Sequence, residues 1–120
     1  MIEQRLQDEA NVWLATVRPD GRPHLIPIWF TWIEGQVWIC TTSASVKVRN
    51  LQLNHHASVA LEDGNRPVLA EGTAALVAKP FPRNVHEAFL RKYEWDIDDD
   101  PGYDTLIRVT PVKWVHPGGT

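Results

Sequence analysis

The sequence contains little cysteine and no long apolar run. Its single cysteine, Cys40, cannot form an intramolecular disulfide, which is typical of proteins from a reducing compartment. Cys40 ends the apolar segment 37–40 and has no evident base partner, so we interpret it as a small buried hydrophobic residue and not as a nucleophile. No run approaches the roughly 20 apolar residues that cross a bilayer. Residues 1–10 are polar and lack a signal-peptide pattern, so we expect a cytoplasmic protein without a membrane partner.

The sequence also lacks a strong excess of charge of either sign. The formal net charge is −3, so no broad basic surface is expected, and nucleic acid is excluded as a natural partner. The length of 120 residues predicts one domain, 1–120, with a substantial hydrophobic core.

Short apolar segments separated by turn residues predict a mainly β fold. We expect helices over 2–10, 45–54 and 84–93, and strands over 12–17, 24–32, 36–41, 57–62, 67–77 and 105–115. The first three strands follow one another too closely for helical crossovers, so they should form an antiparallel meander. A six-stranded antiparallel barrel would remove the exposed sheet edges. Glu71–Gly72 indicates a bulge or a close backbone approach, and Pro117–Gly119 should fray.

The second predicted strand is apolar on both faces. Because neighbouring residues in a strand point to opposite sides, Trp29 and Phe30 cannot both fill one interior. One face could be covered by a helix. We favour the alternative that it forms a subunit interface, where aromatic residues are enriched.

The segment 41–51, TTSASVKVRNL, contains the residue types that bind a phosphate group. A helix start offers free backbone N–H groups and partial positive charge. Thr41 and Ser45 add hydroxyl groups, and Lys47 and Arg49 add positive charge. A capped surface helix with solvated cations explains the same pattern equally well.

Other titratable residues have simpler explanations. His55 and His56 are adjacent and should point apart, which disfavours a shared metal. The acidic residues 96–100 lack the glycine and the distant glutamate of an EF-hand loop, so we expect a solvated loop. His24 should be exposed beside the first hairpin turn. We identify no catalytic acid–base pair and no metal site.

Four motifs occur in a specific order along the chain. They are ATVRPDGRPH over 15–24, PIWF over 27–30, SVKVRNL over 45–51 and AEGTA over 70–74. In this order and spacing, the chain resembles the pyridoxamine 5′-phosphate oxidase-like split-barrel superfamily, from about residue 5 to its end. It is most similar to the small flavin- or deazaflavin-dependent oxidoreductases of that superfamily.

The resemblance implies a six-stranded split β-barrel, a homodimer, and cofactor sites in grooves between the subunits. It assigns the cofactor phosphate to Lys47, with Ser45 and Asn50 beside it. Pro27, Ile28 and Trp29 match the strand that lies along the flavin ring in relatives. Some deazaflavin-using relatives have a cation in place of Ser45, so the resemblance leaves coenzyme F420 and FMN both open as cofactors.

The leading hypothesis is an F420- or FMN-dependent oxidoreductase that transfers a hydride to a small organic substrate, with F420 favoured over FMN. In such an enzyme the cofactor supplies the chemistry, and the protein supplies binding and orientation. The alternative is a split-barrel module that binds FMN or haem without catalysis. Oxidation of pyridoxamine phosphate itself is disfavoured, because the chain lacks the additional basic C-terminal segment of those enzymes.

Overall fold

The computed structural model describes residues 2–115. Seven strands follow one another as β1 (Asn11–Val17), β2 (Pro23–Trp29), β3 (Thr31–Ile33), β4 (Gln36–Thr41), β5 (His56–Leu61), β6 (Leu69–Ala78) and β7 (Thr105–Val115). They are accompanied by the helices α1 (Ile2–Asp8), α2 (Val46–Leu53) and α3 (Arg83–Tyr93), and by a 3₁₀ turn at Ile97–Asp99. Of the described helices, none is both long and apolar enough to cross a bilayer. Pro117–Gly119, which we predicted to fray, lie outside the described residues.

The strands form one antiparallel sheet in the order β2-β1-β5-β6-β7-β4-β3. Strands β2 and β3 are its two edges, so within residues 2–115 no strand pairing closes the sheet into a barrel. Strand β2 nevertheless contacts β4 near the opposite edge, which shows that the sheet is curled. The predicted mainly β fold is confirmed. The prediction of six strands in a closed barrel is wrong: the described residues form seven strands, and no strand pairing closes them into a barrel.

The additional strand arises because the predicted strand 24–32 breaks at Phe30. Its ring is fully buried, and helix α3 holds its backbone. The Phe30 N–H donates to the Tyr93 hydroxyl oxygen at 3.0 Å, and the Phe30 carbonyl accepts from Lys92 Nζ at 2.9 Å. These side chains satisfy backbone groups that a continuous strand would pair within the sheet. The predicted three-strand meander is therefore divided into a β1–β2 pair and a β3–β4 pair at opposite edges.

The strands separate two hydrophobic clusters. The larger cluster lies inside the curled sheet, and alternation in β1 places Val12 and Leu14 there. The smaller cluster lies between the outer face of β4 and β7 and the helix α3, with Phe89 at its centre. Cys40 belongs to this smaller cluster and is 3% exposed. Burial raises the pKa of its thiol to about 12, so the thiol stays protonated at neutral pH, as expected for a structural cysteine.

The predicted bulge or close approach at Glu71–Gly72 is confirmed. The β6–β7 register shifts between these two residues. A Cβ atom at Gly72 would lie 2.2 Å from the carbonyl oxygen of Thr110 on β7. Glycine is therefore required at this position by the neighbouring backbone.

Replacing either of two buried threonines with valine is expected to change the free energy of unfolding, in opposite directions at the two positions. The Thr31 hydroxyl is buried without a hydrogen-bond partner among residues 2–115. Thr31→Val removes an unsatisfied polar group, so we expect the free energy of unfolding to rise by about 1 kcal/mol. Thr16 instead accepts a hydrogen bond from Asn50 Nδ2 at 3.0 Å, so Thr16→Val should lower it by about 1–3 kcal/mol. Urea unfolding of both variants tests the pair, and equal effects would contradict the assignment.

Candidate functional site

The predicted phosphate segment forms the start of α2. Ser45 is the N-cap of this helix, and its hydroxyl oxygen accepts from the Val48 N–H at 3.4 Å. In the turn before Ser45, the Asp104 carboxylate accepts two hydrogen bonds from Ser43. One comes from the Ser43 N–H at 2.8 Å and the other from the Ser43 hydroxyl at 3.1 Å. The Ser43 backbone hydrogen bond is the main cause that lowers the pKa of Asp104. The turn before α2 thus already binds one carboxylate within the chain.

Lys47 lies in the first turn of α2 and is half-buried. Burial lowers the pKa of its ammonium group, because the charged form is poorly solvated there. Within residues 2–115, no carboxylate oxygen lies within 4.0 Å of its nitrogen. A half-buried cation without a counter-charge favours the binding of an anion from outside the chain.

His24 lies near both the Lys47 ammonium and a further basic side chain, Arg18. His24, in β2, has its pKa lowered first by burial and then by the nearby charges of Arg18 and Lys47. Its Nδ1 atom is buried and has no hydrogen-bond partner within the described part of the chain. The Arg18 guanidinium donates to the Pro23 carbonyl oxygen at 3.0 Å, which fixes it at the start of β2. We call Arg18, His24 and Lys47 the basic cluster.

The sequence did not indicate that His24 lies near Lys47, because His24 was expected to be exposed. It is half-buried, because β2 alternates and His24 shares the inward-facing side with Ile26 and Ile28. The period-two pattern of this strand was the signal that could have located it.

The other predicted residues of α2 and β4 differ in their surroundings. Asn50 is buried and donates to Thr16, so it holds α2 against β1. Thr41 is 3% exposed at the end of β4, opposite Thr105. Arg49 is exposed and, together with Arg18, lines a groove of about 340 Å³ beside α2. Arg18 therefore connects the basic cluster with the Arg49 groove.

The predicted ring-binding segment lies on the exposed edge strand β2. Pro27 and Trp29 face outward, and Trp29 is 46% exposed, whereas Ile28 packs against the inner core. Trp29 stacks on Tyr93 of α3 with a centroid distance of 4.4 Å. The alternative that a helix covers this face of the strand therefore holds for one side of the Trp29 ring. A strand rises about 3.3 Å per residue, so Trp29 lies about 17 Å along β2 from His24.

The remaining histidines and acidic residues form no metal site within residues 2–115. The rings of His55 and His56 stack at 5.0 Å, which corrects the prediction that they point apart, because β5 begins only at His56. In the acidic loop, Asp96 accepts from the backbone N–H groups of Asp98 and Asp99. It also contacts His86 Nε2 at 2.8 Å. These contacts of Asp96 fix the conformation of the loop.

Known proteins share this architecture. A structure described as an F420 reductase is 23% identical, with a TM-score of 0.77 and coverage of 94% of both chains. A conserved hypothetical protein of Mycobacterium tuberculosis is 26% identical, with a TM-score of 0.76 and coverage of 94% of this chain and 79% of the other. HutZ, the heme storage protein from Vibrio cholerae, is 20% identical, with a TM-score of 0.78 and coverage of 93% and 88%. No curated protein matches the chain.

The identities to these structures are low, so they establish the fold and leave the activity open. The sequence itself gives a more specific result. The family model for pyridoxamine 5′-phosphate oxidase matches residues 1–116, which is nearly the whole chain. This match agrees with the motif order that pointed to the split-barrel superfamily. The chain belongs to the pyridoxamine 5′-phosphate oxidase family.

Proposed function

We propose that the protein is an oxidoreductase that binds FMN or coenzyme F420 along β2 and transfers a hydride to a small organic substrate. The observation that carries this proposal is the half-buried Lys47, which has no carboxylate partner within residues 2–115. The buried Nδ1 of His24, also without a partner there, provides a second group that suits a phosphate. Both candidate cofactors carry this group.

In this proposal the basic cluster binds the cofactor phosphate, and the exposed segment of β2 binds the ring. Lys47 would hold the cofactor phosphate by a charge-assisted hydrogen bond. Ser45 fixes the start of α2, and Asn50 fixes the helix against β1, so the Lys47 ammonium is placed without a flexible loop. The free edge of β2 offers backbone donors and acceptors to the rim of a flat ring, and Trp29 offers an apolar wall.

His24 and Trp29 lie on opposite faces of β2, so one ligand reaches both regions only across the free edge of this strand. About 17 Å of strand separates His24 from Trp29. A phosphate joined to a tricyclic ring by an extended polyol chain suits such a separation. Once bound, the ring supplies the hydride chemistry. The protein's contribution is to align substrate and ring.

We further propose a homodimer in which the outward face of β2 is covered by a second copy. The residues of this face are apolar and exposed, with Leu25 at 59% and Trp29 at 46%. An exposed apolar edge strand is a liability for a monomer. The family resemblance supports a cofactor groove at such an interface. Sedimentation at several protein concentrations tests this, and a monomer at all of them would contradict it.

A binding module without turnover is the second candidate. It is favoured by the structural similarity to HutZ, a protein described as storing heme. The two candidates differ in one measurable property. The module would bind FMN or haem but would not oxidise or reduce any acceptor.

Titration of the purified protein with FMN and with F420 tests the proposed function. We expect saturable binding of one of them, measured by quenching of the cofactor fluorescence, with one site per chain. Hydride transfer to an organic acceptor under single-turnover conditions then separates the enzyme from the module. Failure of both cofactors to bind would overturn the proposal.

Cofactor affinity should depend on pH through His24. A phosphate beside the imidazole favours its protonated form, so the pKa of His24 is higher in the complex than in the free protein. Binding therefore takes up a proton, and affinity should rise as the pH falls from about 8 to about 6. His24→Gln should weaken this dependence. Because the titration of the ligand contributes equally to both proteins, identical pH profiles would exclude His24 from the site.

A further inference from the structure

A second cleft of about 410 Å³ opens at the C-terminal end of α3. Its lining consists of four aromatic side chains and one carboxylate, namely Trp29, Tyr93, Trp95, Tyr103 and Asp100. We call it the aromatic cleft. Only Trp29 belongs to the β2 segment to which the cofactor ring is assigned.

The rings of the aromatic cleft form a connected arrangement around Trp95. Trp95 meets Trp29 edge-to-face at 6.1 Å and Tyr103 edge-to-face at 5.0 Å, measured between centroids. Trp29 stacks on Tyr93 and is 46% exposed. Tyr103 is 40% exposed. The cleft thus presents electron-rich π-surfaces on more than one side.

The charge of the aromatic cleft is negative. Asp100 is the charged member of its lining, and its Oδ2 accepts from the Trp95 indole N–H at 3.0 Å, which fixes the carboxylate against the ring. The surrounding loop adds Asp96, Asp98 and Asp99.

Two lysines near the aromatic cleft are hydrogen-bonded to backbone carbonyl oxygens, one of them within the acidic loop itself. The Lys79 ammonium lies 3.4 Å from the Asp100 carbonyl oxygen and 3.5 Å from that of Asp98. The Lys92 ammonium donates to Phe30. The Asp100 carboxylate is therefore not paired with either lysine through a salt bridge.

We propose that the aromatic cleft binds a small organic cation with an alkylated ammonium group. Such a group is attracted to ring faces by their quadrupoles and is weakly hydrated, so it gains from contact with several aromatic side chains at once. Asp100 adds a full negative charge at the same place. The volume of the cleft lies within the range of small-molecule sites. The proposal does not depend on cofactor binding, since Trp95, Tyr103 and Asp100 lie outside the β2 segment.

Calorimetric titration of the cofactor-free protein with choline tests this site. Its uncharged isostere, 3,3-dimethylbutan-1-ol, has the same shape without the positive charge. We expect saturable binding of choline and at least about fivefold weaker binding of the isostere. Equal affinities for the two compounds, or no saturable binding of choline, would overturn the proposal.

Variants locate the site. Asp100→Asn keeps an oxygen acceptor for Trp95 but removes the charge, so choline affinity should fall at least about fivefold while the fold is retained. Asp99→Asn is the matched control, because it removes the same charge from the same loop outside the cleft lining, and it should have little effect. Tyr103→Leu should weaken binding as Asp100→Asn does. Equal losses in the two aspartate variants would show that only the general charge of the loop acts, which would overturn the assigned site.

Discussion

Replacing Gly72 with alanine is expected to destabilise the protein by about 3 kcal/mol or more, the largest effect that we predict for a single methyl group. The added Cβ would lie 2.2 Å from the Thr110 carbonyl oxygen, 2.9 Å from its carbonyl carbon and 3.1 Å from the Pro111 Cα. All three atoms are backbone, so no side-chain rotation can relieve the contact. Relief requires β6 and β7 to separate at the bulge where their register shifts.

Urea unfolding followed by tryptophan fluorescence measures this effect. A loss of this size is a large part of the 5–15 kcal/mol that typically stabilises a domain. Gly64→Ala is the matched control, since a Cβ at Gly64 meets no atom within 4 Å. We expect that variant to stay within about 0.5 kcal/mol of the wild type. If both variants unfold at the same urea concentration, the close approach of β6 and β7 at Gly72 is wrong.

Replacing Lys47 with methionine is expected to weaken binding of the phosphate-bearing cofactor by about 1.5–3 kcal/mol, roughly 10- to 150-fold. Methionine keeps an unbranched apolar side chain and removes only the charge and its donors. Stability should change in the opposite direction or not at all. Burial lowers the pKa of Lys47, so folding disfavours its charged form at neutral pH, and removal of the charge relieves that penalty.

The loss of affinity without a loss of stability makes the Lys47 prediction specific. A variant that loses affinity because it is partly unfolded would lose stability as well. Lys113→Met provides the control, because Lys113 is an exposed lysine of β7. Arg49→Ala should have a smaller effect than Lys47→Met, since an exposed charge is screened by solvent. Affinity that is unchanged in folded Lys47→Met protein would exclude Lys47 as the phosphate ligand.

Several parts of the fold followed directly from local sequence signals. The apolar, β-favouring run over 12–17 predicted β1, and the helical spacing of Val85, Ala88 and Phe89 predicted α3, each within one or two residues. The Glu71–Gly72 dipeptide indicated the bulge, because a glycine inside a strand usually marks a close backbone approach. Each of these signals depends on neighbours in the sequence or on sterics that glycine alone can meet.

The break at Phe30 could not be predicted in this way. The segment 24–32 reads as one continuous strand, and the groups that interrupt it come from Lys92 and Tyr93, more than sixty residues later in the chain. The basic cluster and the aromatic cleft likewise depend on contacts between residues that are far apart in the sequence. Lys47 was predicted as an anion ligand, but its proximity to His24 depends on how β2 and α2 pack. Trp29, Trp95 and Tyr103 meet only because α3 and the loop after it fold over β2.

The central claim is that Lys47 binds the phosphate of a flat redox cofactor, and one comparison of four affinities tests it most directly. FMN and riboflavin differ only by the phosphate, and each is titrated against the wild type and Lys47→Met. If F420 is the ligand, its phosphate-free chromophore is the comparison compound, although it also lacks the acidic tail that the phosphate carries. We predict that loss of the phosphate weakens wild-type binding roughly 10- to 150-fold and weakens binding to Lys47→Met clearly less. Equal affinity of the wild type for FMN and riboflavin, or for F420 and its phosphate-free chromophore, would contradict the account.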